Sequence, residues 1–141
     1  MTSPSSANDR LITAAAYGLT MMVSVPLISI AIAWLFYHLF RGNSLFVEHH
    51  LKQNFNLISS LHLYLFVLSL FYLILPNMGG SLDWITEKFP VVGITLVLGG
   101  VSSIFFIIIG LILIMAVYIV LVIFSLFGQW VRVPLIIRFV K

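Results

Sequence analysis

The sequence predicts an all-α integral membrane helical bundle, and three observations lead there. Of its 141 residues 62% are hydrophobic and 8% charged, with a mean hydropathy of +1.19. A soluble domain carries roughly 25% charged residues and has far less apolar surface to hide, so lipid is the expected solvent. Second, Leu11–Phe40, Gln53–Leu75 and Phe89–Val131 contain no Asp, Glu, Lys or Arg, and about 20 apolar residues cross a bilayer. Third, the breakers Gly42–Asn43 and Pro76–Gly80 and the basic residues sit at the ends of these runs, where polar flanks belong. The expectation is three transmembrane helices, with four as the alternative, plus a short interfacial helix. They form a single domain over 11–141 behind a polar, disordered tail at 1–10. The spans fall at about 11–40, 53–75 and 104–126, with 91–103 partly inserted or extending the third.

Composition also excludes classes of function. There is no cysteine, so disulfides, zinc–cysteine sites and thiol nucleophiles are out. The net charge of +3 comes from seven Lys and Arg spread along membrane flanks. That pattern suits lipid headgroups, not the clustered basic face of a nucleic-acid binder.

Along the chain, no cleavable signal peptide is expected, because the first apolar run is too long for an h-region. In that run Thr13, Tyr17, Thr20 and Ser24 share one helical face. Ala14, Ala16 and Gly18 permit close helix approach. Pro26 kinks the helix or splits it in two. Trp34, Tyr37 and His38 suit the interface. A second helix is expected to begin near Ser44 and enter the membrane past Lys52. His49, Gln53, Asn56, Ser60 and Tyr64 fall on one narrow stripe of it. Amides facing lipid are costly, so this stripe should face another helix or a wet cavity. His62 points elsewhere and needs a partner of its own. Ser81 is expected to cap a short amphipathic helix from Leu82. Gly99, Gly100, Ser102 and Ser103 offer a break in the last apolar run, whose alternative is a hairpin at Gly110. Gly99, Ser103 and Gly110 together make a small-residue packing face. In the C-terminal stretch, Arg132, Arg138 and Lys141 alternate with apolar residues and should contact lipid headgroups.

Counting cations orients the chain once the span number is chosen. Three spans put Arg41, Lys52, Arg132, Arg138 and Lys141 on one side, with the C-terminus cytoplasmic, and Arg10 and Lys88 on the other. Four spans give an equally lopsided count with the opposite orientation.

Two motifs carry a family resemblance. His50, Lys52, Gln53, Phe55 and Asn56 form an H-x-K-Q-x-F-N pattern. Gly128, Trp130, Arg132, Pro134, Leu135, Ile137, Arg138 and Lys141 form a G-x-W-x-R-x-P-L-x-I-R-x-x-K pattern. In this order they resemble a bacterial family of small uncharacterised membrane proteins. That family is related to the channel-like component of the chloroplast inner-envelope import translocon. The likeness runs from about Leu11 to Lys141, departs at Leu57, where the family often has Phe, and shows an enlarged loop at Pro76–Pro90. It implies a multi-pass protein of the bacterial inner membrane and brings no catalytic residue.

The chemistry on offer is sparse. Adjacent His49 and His50 diverge by about 100° on a helix and suit no standard metal site. Ser59 and His62 are one turn apart, but nothing supplies an orienting acid, so no catalytic residue is assigned. No cofactor is expected. The reading is a non-enzymatic subunit or accessory factor of a membrane assembly, whose partners are lipids and other membrane subunits or further copies of itself. The alternative is an oligomeric channel or translocon-like component lined by the His49–Tyr64 stripe.

Overall fold

The computed structural model of the chain describes residues 5–23, 25–77, 79–134 and 136–140, with backbone alone at Pro26 and 71–77. Ser24, Leu135 and Lys141 lie outside them. The described residues form five helices and no strand: α1 (Ala7–Met22), α2 (Pro26–Phe40), α3 (Leu45–Asn77), α4 (Gly79–Lys88) and α5 (Pro90–Leu126). The chain divides into two compact units, Met1–His62 with Ile114–Lys141, and Leu63–Leu113. Both α3 and α5 contribute to each.

In the larger unit α1 starts inside the expected polar tail. Ser6 accepts from the Asp9 amide and Asp9 accepts from the Ser6 amide, a complete capping box. The run Leu11–Phe40 is not one rod. Pro26 has no N–H to give and its ring would strike the carbonyl of Met22, so α1 ends there. Pro26 becomes the first residue of α2, the helical position proline tolerates best. At 16 and 15 residues, about 24 and 22 Å long, the two helices pack on each other. Side-chain pairs give the directions. Tyr17 meets His50 and Thr20 meets Asn54, so α1 runs parallel to α3. Tyr17 meets Tyr118 and Thr13 meets Ser125, so α5 runs against α1. The core between them is Tyr17, Ala33, Leu57, Ile58, Tyr118 and Leu121, with a second cluster of Ala16, Tyr37, Val47 and Leu51. Thr13, Tyr17 and Thr20 share one buried face, as their spacing predicts. Ser44 accepts from the Val47 amide at 3.2 Å and so starts α3.

The smaller unit holds the far part of α3, α4 and the first part of α5. Helix α4 begins at Gly79, not Leu82, and Ser81 lies inside it. Pro90 opens α5, and a Cβ at Gly93 would stand 2.6 Å from the Thr86 Cα, so only glycine lets α4 and α5 meet there. No break appears at Gly99–Ser103. The Ser103 hydroxyl donates to the Gly100 carbonyl within an unbroken helix of 37 residues. At about 1.5 Å per residue α5 is about 55 Å long. The expected third span is thus the end of a longer helix, and Gly110 is no hairpin tip. Gly99 and Gly110 face open space, with nothing within 4 Å of an added Cβ.

Among the described residues α5 alone is both long and apolar enough to cross a membrane, and only 11% of its most apolar stretch is buried. Leu27–Phe40 is apolar but shorter. The expected span Gln53–Leu75 lies within α3, and its last residues fall where only backbone is described.

Candidate functional site

The C-terminal segment is the feature to which the polar residues of α3 answer. At the end of α5 the Gly128 amide donates to the Ser125 carbonyl at 3.0 Å, and the Gln129 amide donates to the Phe124 carbonyl at 2.9 Å. Gly128 sits at φ +70°. This left-handed closure turns the chain out of the helix, and glycine enters it without strain. Residues 129–134 and 136–140 then run along α3 without forming a helix.

A non-helical segment packed against a helix has no backbone partners of its own, so its amides and carbonyls turn to side chains or water. The predicted stripe supplies those partners. His49 Nε2 donates to the Val131 carbonyl at 2.9 Å. The Gln53 amide, oriented by its surroundings, donates to the Val131 carbonyl and accepts from the Val133 amide at 3.1 Å. Asn56 grips Val140 twice, donating to its carbonyl and accepting from its amide, both at 2.9 Å. Ser60 accepts from the Ile137 amide at 2.8 Å and donates to the Asn56 carbonyl at 2.7 Å. Four of the five stripe residues therefore bind the chain's own backbone, and three of them, His49, Gln53 and Asn56, also line a cavity. Tyr64, the fifth, belongs to the smaller unit. The two halves of the family resemblance meet here as groove and occupant.

About a third of a turn round α3 from the stripe lies a second polar cluster, buried against α1. His50 is wholly buried. Its Nε2 faces the Gln129 carbonyl at 3.1 Å, which can only accept, so Nε2 carries the proton. Nδ1 then accepts from the Tyr17 hydroxyl at 3.2 Å, a proton shared with the His50 carbonyl at 3.1 Å. Burial, and secondarily the neighbouring His49 charge, push the His50 pKa down to about 4 against a weaker opposing bond to Gln129. The ring is therefore neutral near pH 7. Asn54 Nδ2 donates to the Ala16 carbonyl at 3.2 Å and to Thr20 Oγ1 at 2.9 Å. The Asn54 Oδ1, Ser59 Oγ and Tyr118 hydroxyl are buried with no hydrogen-bond partner among the described residues.

Other expected roles separate in space. Ser59 does not bond His62, whose Nδ1 faces its own helix at the Ile58 carbonyl, 2.8 Å away. His38 likewise bonds back to the Trp34 carbonyl at 3.1 Å. His49 and His50 stand with rings at 89° and serve different partners. Trp130 packs on Phe46 and His49, at ring-centroid distances of 5.6 and 5.1 Å. Phe55 packs against the core. Lys52 pairs with Glu48 one turn earlier at 2.7 Å, and that bond raises its pKa. Arg132, Pro134 and Arg138 join Lys52, His49, Gln53 and Asn56 around a cavity of about 480 Å³ under the segment. Lys141 lies outside the described residues.

Asn54 and the Tyr17–His50 pair were not singled out as a site by the sequence reading. A signal was present: Tyr17 and Thr20 on α1 match His50 and Asn54 on α3 in rise, so two polar pairs can register across a parallel contact. No protein-family model matches the chain, nor does any curated protein or solved structure.

Proposed function

We propose that this chain is a multi-pass protein of the bacterial inner membrane that acts, without enzymatic activity, as a subunit or accessory factor of a larger membrane assembly. The observation that carries this reading is α5. It is apolar on every side, and 11% of its most apolar stretch is buried by the rest of the chain. A helix apolar all round is at home only in lipid or inside a protein, and the chain itself covers little of that stretch. The open faces at Gly99 and Gly110 would let a partner helix approach closely. The resemblance of the two motifs to the bacterial membrane family points the same way.

A channel lined by the stripe is the weaker reading. His49, Gln53, Asn56 and Ser60 are already spent on residues 131–140. The cations also favour one orientation. The Arg10 carbonyl accepts from Ser125, beside the turn at Gly128. Because α1 and α2 fold back, Arg10 stands at the same end of the unit as Arg41. Arg132 and Arg138 gather round Lys52. By the positive-inside rule that end, with the C-terminus, is cytoplasmic. Arg10 thereby changes sides relative to the three-span count.

The test is affinity purification of the tagged chain in mild detergent with native mass measurement. A stoichiometric second protein is the expected result. A homogeneous monomer that recovers no partner from native membranes would refute the subunit reading.

A further inference from the structure

We propose that the cavity beneath the C-terminal segment is a binding site for a phosphate-bearing anion, namely the headgroup of an anionic phospholipid. Three cationic side chains, Lys52, Arg132 and Arg138, line a space of about 480 Å³, large enough for a glycerophosphate group. Glu48 answers Lys52 alone. Arg132 and Arg138 have no anionic partner among the described residues. The other three acids in the sequence are Asp9, Asp83 and Glu87, and none of them lines the cavity. The described residues lining the site therefore carry a surplus of about two positive charges. Two guanidinium groups offer forked donors, the geometry that phosphate oxygens accept best.

The construction of the site also argues for a ligand. Arg132 and Arg138 lie far apart from Lys52 in sequence, and the bonds between the segment and α3 bring them to it. Gln53 holds the backbone on both sides of Arg132, through Val131 and Val133. Ser60 and Asn56 hold it on both sides of Arg138, through Ile137 and Val140. Like charges brought together without a counter-ion repel one another, and an anion between them removes that cost. Trp130 at the start of the segment, half-exposed against His49, suits the headgroup level of a bilayer.

The inference rests on the membrane placement proposed above, and not on the subunit reading. The experiment keeps these separate. The full chain is purified in detergent and retained lipids are counted by native mass spectrometry, with added phosphatidylglycerol or phosphatidylcholine. Inorganic phosphate is titrated in parallel, with Trp130 fluorescence followed in a Trp34→Phe, Trp84→Phe background. One phosphatidylglycerol per chain is expected, with phosphatidylcholine not retained. Affinity should fall about fivefold for Arg132→Gln or Arg138→Gln and roughly thirtyfold for both. Arg138→Lys should keep most of it, and Lys88→Gln, outside this unit, should change nothing. Saturable phosphate binding with the same variant pattern, and no lipid retention, would keep the site and name a free anion as its ligand. Equal retention of the two lipids, or retention unchanged in the double variant, combined with no phosphate response, would overturn the proposal.

Discussion

His50 shows how a titratable side chain is made part of a core. Both ring nitrogens are satisfied only if the ring is neutral, with the proton on Nε2. Its pKa is about 4 in the fold against 6.5 in the open chain. Between those values the unfolded state binds the extra proton, so stability rises with pH across this window and is lost on acidification. From pH 7 to pH 4 the loss should reach about 3 kcal/mol from this one residue. Thermal melts at pH 7.5, 5.5 and 4.5 read it, and His50→Gln should flatten the dependence. Gly128 is another residue whose identity the fold demands. A Cβ there would stand 2.5 Å from Ser5 Oγ and 3.0 Å from Arg10 Nε, on a backbone at φ +70°. Gly128→Ala should cost about 1–2 kcal/mol, seen as a lowered melting temperature. Gly110→Ala, in open space on a helix, should fold no worse than the parent.

At the scale of elements, the clasp between α3 and residues 129–140 is held by side chain to backbone bonds. Such bonds are indifferent to what side chains the segment carries. Asn56 supplies two of them, each worth about 0.6 kcal/mol when buried among membrane helices. Asn56→Leu should therefore leave the helices intact and free the end of the segment. Hydrogen exchange is the readout, with amides of Ile137 and Val140 exchanging at least several-fold faster. Unchanged exchange there would mean the clasp is held by its apolar contacts alone. The turn between α4 and α5 makes the contrasting case. Gly93 lies against the Thr86 backbone, so Gly93→Val should loosen the smaller unit while the Asn56–Val140 bonds persist. The stripe itself was legible from spacing. Its partner was not, because a periodic pattern on one helix says that a face is polar and is silent on what meets it.

For the whole molecule, the hairpin of α1 and α2 decides where the charges lie. One span over Leu11–Phe40 would carry Arg10 to the far side from Arg41. Folding back at Pro26 returns them to one end of the larger unit. A reporter fused ahead of α1 and another after Lys141 should then report the same compartment, the cytoplasm. Opposite compartments would mean that the hairpin opens into one span in the bilayer. The reading as a subunit belongs to this scale too, since α5 exposes large apolar side chains along its length, among them Val97, Phe105, Ile112 and Ile119. Gly110→Leu should then weaken co-purification with a partner without altering helix content.

Composition and period are local or additive properties, and they were enough for much of this protein. They determined that it is helical, that its last apolar run is long enough for a bilayer, that Thr13, Tyr17 and Thr20 turn inward together, and that His49, Gln53, Asn56 and Ser60 share a face. Whether Pro26 kinks a helix or ends it depends on whether α2 finds a better surface by folding back, here the one shared with Tyr17 and Leu57. Whether Gly99 and Gly100 break α5 depends on what else could satisfy the freed backbone, and here the helix runs on through both. That the C-terminal motif lies in the groove of the helix motif is a pairing across some eighty residues, as from Asn56 to Val140. Such a pairing comes into being only when the packed helices hold both ends in place, so tertiary structure alone could decide it.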